Sequence, residues 1–158
     1  MRDQADLTRT IRSIPGMETL DQAGADALAS CAELASVAEG ELLYREGEPS
    51  KDVYFVVSGL MEARMRIPGR ERDTEEVFRT IKSGDLTGEL AFLDGGRREA
   101  TVAARERSVL LKLGGAELRG HCESNPALAA AVFHALGRTA AERCRDVSLE
   151  LRNAYGAF

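Results

Sequence analysis

Gly88-Glu89-Leu90-Ala91-Phe92-Leu93-Asp94-Gly95-Gly96-Arg97-Arg98-Glu99-Ala100-Thr101-Val102-Ala103-Ala104 is the stretch on which the reading of this chain turns. A glycine opens a short helical turn, and the first amides of a helix have no intrahelical acceptor, so they suit an anion. Gly95-Gly96 then bends the chain, and Arg98 enters a strand-like run where its forked guanidinium can meet the same anion. Glu89 has no use as a phosphate ligand. It does suit a hydroxyl beside the phosphate, as an acceptor. Backbone amides, one arginine and one glutamate together fit a ribose-phosphate ligand.

On either side of this stretch, residues 36–113 read as short strands. Leu42 to Tyr44 follows Gly40-Glu41, and a turn at Glu46-Gly47-Glu48-Pro49-Ser50 leads to the apolar run Val53-Tyr54-Phe55-Val56-Val57. Met61, Ala63, Met65 and Ile67 alternate with Glu62, Arg64 and Arg66, which predicts a strand with one inward face. Pro68-Gly69 opens a charged hairpin tip over Arg70 to Glu76, and Glu76 to Ile81 returns as the partner strand. After the turn at Ser83-Gly84-Asp85, Ala100 to Ala104 and Ser108 to Leu113 are the last two strands. Many short strands separated by glycine turns predict a jelly roll or barrel.

Helices flank the strands. Leu7, Ile11 and Ile14 recur at helical spacing, Pro15-Gly16 interrupts, and Asp21 to Leu34 resumes, so residues 1–34 are expected to be helical. Residues 125–154 are expected to form one long helix, capped by Asn125 with Pro126 at its first position. Phe133, Leu136, Ala140, Cys144, Val147 and Leu151 form a seam along it that suggests a homodimer. Residues 1–158 are therefore expected to make a single domain.

The bulk composition narrows the classes. With 44% hydrophobic and 30% charged residues the chain has the balance of a folded domain. A net charge of -5 and no basic patch argue against nucleic acid as a partner. Cys31, Cys122 and Cys144 are an odd, unpaired set and are expected to be reduced. His121 and His134 lack partners at metal-ligand spacing, so no metal is expected. No nucleophile–base pair supports an enzyme. No signal peptide or apolar span is visible, so no membrane is expected and the cytoplasm is the expected compartment. With the chain ending at Phe158, just after the long helix, a helix-turn-helix domain is not expected.

The segment from Gly88 to Ala104 resembles the phosphate-binding cassette of cyclic nucleotide-binding domains, in which Gly-Glu-Leu-Ala is followed by an arginine and then Ala-Thr-Val-x-Ala. Gly40 to Glu48 and Asp52 to Gly59 resemble the first barrel strands of the same family. The resemblance implies an eight-stranded jelly-roll-like β-barrel, mainly β with flanking helices, as in catabolite activators and protein kinase A regulatory subunits. It implies that Arg98 pairs with the cyclic phosphate and Glu89 accepts the ribose 2′-hydroxyl. It also places the amides of Leu90 and Ala91 on phosphate oxygens, gives the tight turn to Gly88, and closes the C-terminal helix over the base. The ligand would be cyclic AMP or cyclic GMP, with no further cofactor, and the output would pass to an effector protein the sequence does not name.

Three positions depart from the family pattern. Thr87 replaces a large apolar residue, Arg97 a frequent proline, and Glu99 a small residue against the phosphate. A carboxylate about 4 Å from the phosphate would repel it by roughly 4 kcal/mol at an effective dielectric near 20. Glu99 either joins the ligand site or pairs with Arg97 and swings to solvent. Two functions follow: a cyclic-nucleotide sensor signalling through its C-terminal helix, or a nucleotide-independent protein-interaction module of the same fold. Arg98 is expected to serve binding without supporting the fold.

Overall fold

β-branched and aromatic residues at Val53 to Val57 build the strand around which the rest is arranged. The computed structural model describes residues 4–69 and 74–156. Its strands are β1 (Ala32–Val37), β2 (Leu42–Tyr44), β3 (Val53–Ser58), β4 (Leu60–Arg66), β5 (Glu75–Lys82), β6 (Leu86–Thr87), β7 (Thr101–Ala104) and β8 (Ser108–Leu113). They form two four-stranded antiparallel sheets, ordered β1-β8-β3-β6 and β2-β7-β4-β5. This is a β-roll of the expected class.

Alternation along β3 divides the interior. Tyr54 and Val56 face the roll, packing with Tyr44, Met61, Ala63, Ile81, Val102 and Leu110. Val53 and Phe55 face the other way, onto a second core that joins the sheet to the helices through Leu111, Leu113, Phe92, Leu118 and Val132. Those helices are α1 (Gln4–Arg12), α2 (Gln22–Ser30), α3 (Glu89–Asp94), α4 (Gly115–Ser124) and α5 (Pro126–Gly156). Asn125 accepts the Leu128 amide at 3.1 Å, which caps α5 as expected. None of these helices is long and apolar enough to cross a membrane.

Four expectations are corrected. The N-terminal helical region stops at Ser30, and Ala32 to Leu34 belong to β1. Sheet pairing from Ala32↔Leu113 to Val37↔Ser108 overrides the helical preference of the alanines. Helix α4 was not anticipated, because Gly114, Gly115 and Gly120 dilute its pattern. The inward alternation of β4 ends at Ala63: a bulge shifts the register after it, and Met65 is 42% exposed. Leu136 is buried against the roll with Leu128, Val132 and Ala135, so it leaves the outer seam of α5. Arg70 to Asp73 of the expected hairpin tip lie outside the described residues.

Candidate functional site

Gly88 ends β6 and begins α3 with φ 82°, a left-handed conformation that glycine adopts without strain. A Cβ there would sit 2.5 Å from Arg98 Nη1 and 2.7 Å from the Asp52 carbonyl oxygen, so the cassette turn and Arg98 demand a glycine together. Arg98 is 2% exposed. Its guanidinium lies over the ring of Tyr44 at 4.2 Å and donates to the carbonyl oxygens of Gly88 (3.1 Å) and Asp52 (2.7 Å) and to Ser50 Oγ (3.1 Å). Only Nε is left without a partner. Arg98 therefore supports the fold as well, which corrects the expectation that it serves binding alone.

Two of the unusual residues are explained by their contacts. Thr87 is buried and shares a 2.8 Å hydrogen bond with the hydroxyl of Tyr44, whose pKa burial pushes well above its ordinary value. A polar residue at 87 satisfies a phenol that the barrel would otherwise bury unpaired. Arg97 donates to the Gly47 carbonyl at 2.9 Å, tying the loop after α3 to the turn after β2.

Glu89 is fully buried at the start of α3. Its Oε1 accepts from Nη1 of Arg143, on α5, whose Nη2 donates to the Leu86 carbonyl. Burial raises the pKa of Glu89, and the charge of Arg143 opposes the rise. The second oxygen, Oε2, is buried without a partner. Glu99 is half-buried, and its Oε2 is likewise enclosed and unpartnered. That enclosed oxygen turns the Glu99 carboxylate toward the interior side of the cassette rather than to solvent. No ion pair joins Glu99 to Arg97 among the described residues.

The structure thus brings Gly88, Glu89, Ala91, Arg98 and Glu99 to one end of the roll, with Leu90 at its partly exposed lip. Sequence reasoning missed Ser50 and Asp52, which hold Arg98, and Tyr44, which stacks on it. It also missed Arg143, although a signal existed: Ala135, Thr139 and Arg143 recur every four residues, on the stripe of α5 that faces the roll. Cys31, Cys122 and Cys144 are free thiols, and His121 shares a 3.1 Å hydrogen bond with Ser30 on the opposite side of the helical core. No group of three or more metal-ligating side chains occurs among the described residues.

The sequence profile of the cyclic nucleotide-binding domain matches residues 34–125, which span the roll, the cassette and α4. The chain belongs to that family. It is 31% identical over 104 residues to a cAMP-dependent protein kinase regulatory subunit of Emericella nidulans, covering 66% of this chain and 24% of that protein. It is 33% identical over 123 residues to a Rhodopseudomonas palustris protein carrying a potassium-channel name, covering 76% of this chain and 27% of that one. Thermus thermophilus catabolite activator protein superposes with a TM-score of 0.70 at 26% identity, over 89% of this chain and 63% of that one. The chain spans about a quarter of the length of the curated relatives it matches. Fold and cassette together define a regulatory cyclic nucleotide-binding domain.

Proposed function

We propose that this chain binds cyclic AMP or cyclic GMP at the cassette and transmits occupancy through α5. The observation that carries this reading is a set of three enclosed, unpartnered polar atoms in the cassette: a donor, Arg98 Nε, and two acceptors, Glu89 Oε2 and Glu99 Oε2. Buried polar atoms in a folded protein are nearly always paired, and a phosphate oxygen and a ribose 2′-hydroxyl satisfy the first two. The amides of Leu90 and Ala91 at the start of α3 add donors for the remaining phosphate oxygens. No metal or cofactor is part of this reading. Because Arg143 joins α5 to Glu89, a ligand that engages Glu89 acts on the charge that holds the helix. Differential contact with α5 then shifts its position, and an effector protein reads the change.

Calorimetric titration with cyclic AMP and cyclic GMP, using linear AMP as the control, tests the binding. Saturable heat with one cyclic nucleotide and none with AMP is expected. A folded chain that binds neither cyclic nucleotide overturns the reading and leaves the nucleotide-independent interaction module.

The distal half of α5 supports a homodimer. Cys144, Val147 and Leu151 are exposed on one stripe, Val147 at 45% and Leu151 at 54%. Exposed apolar stripes of this kind favour an interface. Light scattering is expected to show a dimer for the wild type and a folded monomer for Val147→Glu with Leu151→Glu. A wild type that stays monomeric at high micromolar concentration contradicts the dimer.

A further inference from the structure

Ser50, Lys51 and Asp52, between β2 and β3, form a short strap along the cassette. Ser50 Oγ and the Asp52 carbonyl accept from Nη2 of Arg98, at 3.1 and 2.7 Å. Lys51 Nζ donates to the carbonyl of Gly96, in the loop that leads from α3 to Arg98. The side chain of Asp52 serves a different element. Its Oδ1 accepts the Gly115 amide at 2.8 Å, and its Oδ2 lies 3.6 Å from Lys112 Nζ on β8. Gly115 is the first residue of α4, and Gly114 before it has no side chain to cap the helix. The opening amides of a helix have no intrahelical acceptor, so Asp52 supplies from a distant loop the cap that the local sequence lacks. A Cβ at position 115 would sit 2.5 Å from the Lys51 carbonyl oxygen, so the backbones of α4 and the strap are in direct contact.

α4 is fixed to the other half of the cassette as well. One turn on from Gly115, Arg119 donates to the carbonyl of Phe92 in α3, and its guanidinium lies over the Phe92 ring at 4.5 Å. That carbonyl belongs to the last turn of α3, where acceptors have no intrahelical donor. The same short helix opens with the amides of Leu90 and Ala91. α4 is therefore joined to Arg98 through Asp52 and to the α3 amides through Arg119, and it runs directly into α5 at Pro126.

We infer that α4 is a brace that sets the separation of Arg98 from the α3 amides, with Asp52 and Arg119 as its positioning residues. Asp52 orients the carbonyl that holds Arg98, and Arg119 anchors α3; both act through those groups rather than on the ligand. The brace itself rests on contacts between protein groups. Its effect on affinity rests on the nucleotide reading above.

Two measurements separate the brace from that reading. In ligand-free protein carrying isotope-labelled arginine, Asp52→Ala is expected to shift the Arg98 Nε–H magnetic resonance signal. Asp52→Asn keeps an acceptor for the Gly115 amide and is expected to restore it. An unchanged signal in Asp52→Ala overturns the positioning of Arg98, and an equal shift in Asp52→Asn overturns the link through Gly115. Cyclic AMP titrations are run at a temperature where circular dichroism shows every variant folded. There Asp52→Ala and Arg119→Met are each expected to weaken binding at least about tenfold. Combined, they are expected to weaken it by less than the product of the single losses, because either change releases the same helix. Fully multiplicative losses overturn the shared brace, and undiminished affinity in either variant removes that residue from it. If the wild type binds no cyclic nucleotide, the functional reading and the effect on affinity fall, and the arginine signal alone decides whether α4 positions Arg98.

Discussion

The two walls of the cassette are built to different degrees of completion. On the back wall, Arg98 is sandwiched against Tyr44, bonded to two backbone carbonyls and a serine hydroxyl, and enclosed at 2% exposure. On the front wall, Glu89, Glu99 and Arg143 gather two carboxylates and one guanidinium around one ion pair among the described residues, Glu89–Arg143, and Oε2 of each carboxylate is enclosed without a partner. The back wall uses polar groups the way a core does, with nearly every donor satisfied by protein. The front wall leaves acceptors enclosed and open. Groups of the first kind fix shape; groups of the second kind are those that the proposed function assigns to a ligand.

Replacing a back-wall residue is expected to have the largest effect. Arg98→Ala strips a charged donor from three acceptors and is expected to cost about 3 kcal/mol or more of stability. It is also expected to push cyclic-nucleotide binding below calorimetric detection. Chemical denaturation checks the first and titration the second. A variant as stable as the wild type would show that the back wall contributes nothing to the fold, and the contrast between the walls would disappear.

A front-wall change is expected to act mainly on the ligand. Glu99→Ser removes a like charge from the phosphate subsite and supplies a hydroxyl, and is expected to tighten cyclic AMP binding at least about tenfold. Its stability is expected to stay within about 1 kcal/mol of the wild type, because partly exposed charges contribute little to folding. Unchanged or weaker binding would place Glu99 away from the ligand.

The smallest effect is one of pH. Burial raises the pKa of Glu89 in the folded chain, so its contribution to stability is present below its unfolded pKa and lost as pH rises through the folded value. Glu89→Gln removes that titration. The stability of the wild type relative to Glu89→Gln is therefore expected to fall as pH rises through and above the ordinary carboxylate range. Denaturation midpoints across that range measure it, and parallel curves for the two proteins would show that Arg143 cancels the burial completely.

The back wall and the roll were largely legible in the sequence, and the front wall was not. Gly88, Glu89 and Arg98 sit within a dozen residues of one another, and a local turn followed by a strand is a pattern that residue order exposes. The strand run at Val53 and the cap at Asn125 are local signals of the same kind. Arg143 is brought in by long-range geometry, the crossing of a helix over the cassette. β1 escaped because an alanine-rich segment reads as helix until the free edge of β8 is there to pair with it. The orientation of Glu99 depended on whether Arg97 was free, and Arg97 is held by the Gly47 carbonyl, fifty positions away.

Comparing cyclic AMP with 2′-deoxy cyclic AMP on the wild-type chain tests the open front wall most directly. If the enclosed Oε2 of Glu89 is the ribose acceptor, removing that hydroxyl leaves a buried carboxylate oxygen unpaired. The deoxy ligand is then expected to bind about ten- to a hundredfold more weakly. Equal affinities for the two ligands would contradict this account of the site.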